Sequence, residues 1–233
     1  MRRAFILTLL CAACAACAAQ SASVPDDQVP QRKEILSNHH VTVSILELAS
    51  NDSTPSHKHD HDSIAVFVNG GHIQNNVQGQ PPAENKIAVG EVRYRAGGYA
   101  HSVKNEGTDP LRVVVVEFND PQGKMEQINT TSHTCNTGST TLCYDEHNLF
   151  CTAKVCVEDV TIAPGATTHK HSHSTDHMLI AVSDYELTDH VEGKGDVLRT
   201  RKSGEIEYLT SGITHQQTNT GKAPARFIVI AWR

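Results

Sequence analysis

The sequence repeats itself at a constant offset of 114 residues, and this property most constrains what the chain can fold into. Gly90 maps to Gly204, Gly98 to Gly212, His101 to His215, Asn105 to Asn219 and Gly107 to Gly221. The same offset carries Pro110 to Pro224, Arg112 to Arg226, and His57, His59 and Asp62 to His171, His173 and Asp176. No insertion is needed from about residue 36 to Phe118. A chain of 233 residues holding two such copies is expected to fold as two small domains of one kind.

Each copy carries strand signals and no convincing helix. Val113–Val116 and its counterpart Phe227–Ile230 are short, largely β-branched runs bounded by turn residues. Val41-Thr-Val43 and Val155-Cys-Val157 alternate as half-buried strands do, and glycines and prolines punctuate the segments between. Many short strands per copy predict an all-β chain of two tandem jelly-roll β-barrels, over residues 33–118 and 149–233. Residues 119–148 break the repeat, are rich in Asn, Thr, Ser and Gly, and read as a cysteine-containing linker.

Residues 1–22 read as an export signal, with Arg2 and Arg3 ahead of the short apolar run Ala4–Leu10 and small residues after it. The run is too short to span a bilayer. A short buried helix is the bland alternative. Ala-Ala-Cys at Cys14 and at Cys17 is similar to a bacterial lipoprotein cleavage site, except that cysteine replaces the leucine three places earlier. The expected location is therefore periplasmic or, with a lipid anchor, at the membrane.

Four cysteines remain beyond this leader: Cys135, Cys143, Cys151 and Cys156. In an oxidising compartment they are expected to form two disulfides, with three connectivities open. Fully extended, Cys151 and Cys156 would lie roughly 16 Å apart, whereas a bridge tolerates only about 4.4–6.8 Å between Cα atoms. Pairing them needs a turn, so pairing of each to Cys135 or Cys143 is favoured. A four-thiolate zinc site is the minor alternative.

The formal net charge is −6 with no basic stripe, and aromatics are sparse, which together argue against nucleic acid as a partner. Fifteen histidines are the outlier. Residues two apart on a strand point the same way, so His57 and His59 can aim at one point, as can His171 and His173. His101 and His215 would arrive from a neighbouring strand, just after the turns at Gly98 and Gly212. Three convergent neutral imidazoles with open coordination positions suit a reactive metal. The bland alternative is a solvated histidine-rich turn.

These residues resemble the cupin superfamily, specifically a bicupin. The family's first motif, G-x5-H-x-H-x3-E-x6-G, is matched in the second copy by Gly165, His171, His173, His177 and Asp184. The first copy has Asn51, His57, His59, Ser63 and Gly70 in those places. The second motif, G-x5-P-x-G-x2-H-x3-N, fits both copies except that Ala96 and Thr210 replace proline. The resemblance implies jelly-roll barrels with a metal held by the two motif-one histidines and the motif-two histidine.

Both copies lack the family's glutamate ligand, replaced by Ser63 and His177. Fe(II), Ni, Cu or Zn are therefore expected before manganese. Three-histidine dioxygenases become closer analogues than manganese oxalate enzymes. The second site, with His177 as a fourth imidazole, is expected to bind metal more tightly; the first, with more open positions, is the better candidate for chemistry.

Tyr94 and Tyr208 coincide under the repeat and are either proton donors inside the barrels or core residues. Arg112 and Arg226 are expected at strand starts near solvent, with binding of a substrate anion the alternative. His61 and His169 are read as flanking residues.

The functional expectation is an exported metal-dependent enzyme of dioxygenase type acting on a small organic acid, enol or thiol. A lyase or isomerase and a non-catalytic binding module are the alternatives. Expected partners are a small-molecule substrate or ligand and a homo-oligomeric copy.

Overall fold

The computed structural model describes residues 23–233. The expected leader, with Cys11, Cys14 and Cys17, lies outside the described residues. The first barrel comprises β1 (Val24–Pro25), β2 (Arg32–Ser37), β3 (Val41–Leu48), β4 (His57–His59), β5 (Ser63–Phe67), β6 (Gly71–Val77), β7 (Ala83–Ile87), β8 (Glu91–Arg95), β9 (Tyr99–Asn105) and β10 (Leu111–Phe118). The second comprises β11 (Glu126–Cys135), β12 (Cys143–Cys151), β13 (Val155–Ile162), β14 (His171–His173), β15 (His177–Ala181), β16 (Tyr185–Val191), β17 (Gly195–Arg201), β18 (Ile206–Leu209), β19 (Ile213–Asn219) and β20 (Ala225–Trp232).

Each barrel is two sheets closed on an apolar interior. In the first, the sheet ordered β1-β4-β9-β6-β7 faces the sheet β2-β3-β10-β5-β8. In the second, β14-β19-β16-β17 faces β11-β12-β13-β20-β15-β18. The all-β jelly-roll expectation holds, and β2 to β10 reappear 114 residues on as β12 to β20.

The apolar runs that do not alternate have a plain cause: their strands are buried on both faces. Val113 and Val115 of β10 point into the first barrel, among Leu46, Phe67 and Leu111. Val114 and Val116 point out, into a core shared with Ile228 and Ile230 of β20. On β20, Phe227 and Val229 fill the second barrel. The barrels thus pack back to back, the first through the outer face of the sheet that holds β10 and the second through the outer face of the sheet that holds β20. Burying one such side chain contributes about 1.5–3 kcal/mol, so this seam is a large share of the apolar stabilisation.

Arg112 and Arg226 mark the edges of that seam and do not reach either barrel interior. Arg112 Nη1 donates to the Ser203 carbonyl at 2.8 Å, and Arg226 Nη1 to the Val89 carbonyl at 3.0 Å. Each arginine lies over the turn glycine of the opposite copy, Gly204 and Gly90 respectively. The repeated Asn105 and Asn219 are fully buried clamps. Asn105 Nδ2 donates to the Leu48 and Asp109 carbonyls, and Asn219 Nδ2 to those of Ile162 and Ala223. This part of the repeat serves the fold.

Two expectations are corrected. The segment 119–148 is not a linker alone, because it contains β11 and most of β12, which extend the second barrel's larger sheet. The disulfides join Cys135 to Cys143 and Cys151 to Cys156 instead of crossing between these pairs. Both pairs are directly opposed across antiparallel strands, with Cα separations of 4.0 and 4.1 Å. The turn that Cys151 and Cys156 require is the hairpin joining β12 to β13.

Candidate metal centres

In the first barrel His57 and His59 project from β4, and His101 stands opposite His57 on β9. Gly98 makes the approach to β9 possible: its φ is +88°, and its N–H donates to the His59 carbonyl at 2.8 Å. Each ring is fixed through Nδ1. His57 donates to the Pro55 carbonyl at 3.0 Å, His59 to Glu117 at 3.0 Å and His101 to Asn75 Oδ1 at 2.8 Å. With Nδ1 carrying the proton, all three Nε2 lone pairs face inward, and those of His59 and His101 are 3.1 Å apart. Neither can donate to the other, so the arrangement calls for a cation between them. Burial holds the pKa of His57 down to about 4 and that of His101 to about 2, which keeps both as neutral ligands.

Sequence reasoning missed a fourth group here. Asp26 sits in a short 3-10 turn, Asp26–Gln28, directly after β1, and is only 6 % exposed. Its Oδ1 lies 3.6 Å from His57 Nε2 and 3.4 Å from His59 Nε2, while its other oxygen ion-pairs with Arg32. Ser63 lines the same small cavity of about 80 Å³. The expectation that the first site is the more open one is therefore reversed.

In the second barrel His171 and His173 of β14 meet His215 of β19, with His171 directly opposite His215. Nδ1 of His171 donates to the His169 carbonyl at 2.9 Å, and Nδ1 of His215 to Asp189 at 2.6 Å. Asp189 is itself held by Arg199 at 2.7 Å. His215 Nε2 is buried without a hydrogen-bond partner, and so are both nitrogens of His177. The ligand atoms of His171, His173 and His215 lie within 4.8 Å of one another, as do those of His57, His59 and His101.

His177 stacks on His173 with ring centroids 3.7 Å apart and stands 6.3 Å from His215. It lies beside the triad and outside that close group. Burial lowers the pKa of His173 to about 3 and of His177 to about 4, with like charge on neighbouring imidazoles adding to the effect.

The second triad opens onto a cavity of about 280 Å³. Leu179, Phe227 and Val229 form its apolar wall, and Glu146, Glu158 and His169 its polar side. The Glu158 carboxyl is pushed above the usual range by burial and then by Glu146. His169, read as a flanking residue, accepts the hydroxyl of buried Tyr144 on Nδ1. Sequence reasoning missed both glutamates, because Glu146 of β12 and Glu158 of β13 lie outside the two recognised motifs.

Tyr94 and Tyr208 line neither cavity. Alternation along β8 turns Arg93 and Arg95 inward and Tyr94 outward, onto the core between barrels. Tyr94 donates to Asp62 at 3.0 Å and Tyr208 to Asp176 at 2.7 Å. They are core residues with a bonded hydroxyl, not proton donors to a bound substrate.

No family model and no curated protein sequence matches the chain. Solved structures do. The chain is similar to AerE from Microcystis aeruginosa, with 16% identity and a TM-score of 0.61 over 88% of this chain and 98% of that one. It is similar to a cupin 2 conserved barrel domain protein from Leptotrichia buccalis, at 14% and 0.51, over 87% and 88% of the two chains. Bacillus subtilis oxalate decarboxylase, in a structure concerned with its Mn(II) centres, follows at 13% and 0.57, over 83% and 69%. These are likenesses of fold. The fold is that of the cupins, here in two tandem barrels, each with a histidine triad suited to a divalent metal.

Proposed function

We propose that this chain is an exported metal-dependent bicupin enzyme of dioxygenase type, and that its reaction takes place in the second barrel. The observation that supports this reading is the second triad, whose three imidazoles face a cavity of about 280 Å³ that also holds a carboxyl pair. The volume falls just below the roughly 300–1,000 Å³ typical of drug-sized ligands, so a small organic acid, enol or thiol fits better than a larger molecule.

A divalent metal on the triad would supply Lewis acidity and open positions for a chelating substrate and dioxygen. His171 and His215 are held as neutral Nε2 donors by the His169 carbonyl and Asp189. Leu179, Phe227 and Val229 would hold the carbon skeleton and exclude water. Glu158 retains its proton to higher pH than an ordinary glutamate and can pass it to bound substrate. That last feature equally favours a metal-dependent lyase or isomerase. A small-acid substrate is also in keeping with the oxalate decarboxylase of like fold, although the assignment rests on the cavity.

The test begins with elemental analysis of protein exported to the periplasm, which should hold close to two equivalents of transition metal. Oxygen uptake is then measured on a panel of diketones, thiols, phenolics and small organic acids. Uptake that is lost in His171→Ala and kept in His57→Ala is the expected result. Metal binding with no turnover on any substrate would leave a binding module.

A further inference from the structure

The first triad is not merely a weaker copy of the second, because a carboxylate from outside the repeat has entered it. We propose that Asp26 is the fourth ligand of the first site, in place of the glutamate that Ser63 replaces, and that it closes this site as a structural metal centre. The proposal rests on the metal reading of the triads and adds to it the division of labour between barrels.

Three observations carry it. The distances fit: a tetrahedral ion with bonds of about 2.0–2.1 Å sets its ligand atoms roughly 3.3 Å apart. His59 and His101 are 3.1 Å apart at Nε2, and Asp26 Oδ1 stands 3.4 Å from His59 and 3.6 Å from His57. The protons fit as well. His57, His59 and His101 all spend their ring N–H on outward acceptors, so no hydrogen is left to bind Asp26 Oδ1. That oxygen is buried and makes no hydrogen bond with the protein. Inward lone pairs and a facing carboxylate oxygen repel one another unless a cation sits among them.

The third observation is the way the segment is seated. Val24 and Pro25 pair in parallel with His57 and Lys58, and the Val24 N–H donates to the Ser56 carbonyl at 2.9 Å. Val29, 2 % exposed, anchors the far side of the strap in the barrel interior. Between these holds, Asp26 is delivered over the triad, and Arg32 steadies its second oxygen. Among the described residues nothing equivalent covers the second triad, which keeps its larger cavity. A metal in the first site would also tie the N-terminal strap to the barrel wall.

The test uses Co(II) with the His171→Ala protein, so that the first site reports alone. One tightly held equivalent with a four-coordinate visible spectrum is expected. Adding Asp26→Asn should weaken binding tenfold or more, shift the spectrum and speed amide exchange over residues 24–29. Adding Asp26→Ala should do the same, and acetate should restore the spectrum, which separates a lost ligand from a damaged fold. Unchanged affinity and spectrum in Asp26→Asn, with one Co(II) still bound, would overturn the proposal and leave the metal reading intact. Failure of both triads to bind Co(II) in the unmutated protein would overturn both.

Discussion

Arg226 occupies the space that a side chain on Gly90 would need: a Cβ placed there would lie 2.6 Å from its Nη2. The glycine also sits at φ +76°, where other residues are strained. Gly90→Ala should therefore cost about 1–2 kcal/mol of backbone strain, plus displacement of the arginine. Combined with Arg226→Ala, the steric part should vanish, so the double variant should be more stable than the sum of the singles predicts. Urea unfolding measures this, and additivity within about 0.3 kcal/mol would show that the two residues are not coupled.

Tyr94 and Tyr208 should matter for stability and not for the metal sites. Their hydroxyls bond Asp62 and Asp176, away from either triad. Each Tyr→Phe change should cost about 1 kcal/mol, below the range for a fully buried hydrogen bond to a charged acceptor because solvent screens these pairs. Metal stoichiometry and affinity should stay at the unmutated values. A lost equivalent in either variant would return these tyrosines to the sites.

Disulfide mapping offers a direct check of the β11–β12–β13 sheet. An unreduced digest should contain Cys135 linked to Cys143 and Cys151 linked to Cys156, with no cross-linked peptides between the pairs. Sequence separations of 8 and 5 enclose small loops. Each bridge should therefore contribute only roughly 2 kcal/mol through restriction of the unfolded chain. A larger loss from Cys151→Ser with Cys156→Ser would point to a packing role.

Metal-free protein should weaken on acidification. Burial lowers the pKa of His57 and His177 to about 4, of His173 to about 3 and of His101 to about 2. An unfolded histidine titrates near 6.5, so below that pH the unfolded state binds more protons than the folded state. The stability these neutral histidines contribute is fully present above about pH 6.5 and is lost as pH falls toward their folded values. The melting temperature of chelator-treated protein should hold from pH 8 to 7 and then decline steadily to pH 4.5. A flat profile to pH 4.5 would contradict this.

The repeat made both triads legible, because strand alternation and a fixed offset set the positions of His57, His59, His101, His171, His173 and His215. It misplaced what the repeat does not contain. Asp26 lies before the first duplicated strand, and no spacing rule ties it to a histidine 31 residues on. Glu126–Thr134 is exposed along its whole length, so its polar composition is that of a loop although its backbone pairs as a strand. For Cys151 and Cys156 the separation along the chain is misleading, because the relevant distance runs across a hairpin. Tyr94 repeated faithfully at Tyr208 because the seam between barrels repeats, not because a site does.

The back-to-back seam built by Val114, Val116, Ile228 and Ile230 has a consequence for how such a chain can change. Two identical subunits joined through this surface would carry every substitution twice. Once the halves share one polypeptide, each pocket can vary on its own while the common wall keeps the partner folded. A carboxylate over one triad and an extra imidazole beside the other are differences that only an asymmetric pair can hold.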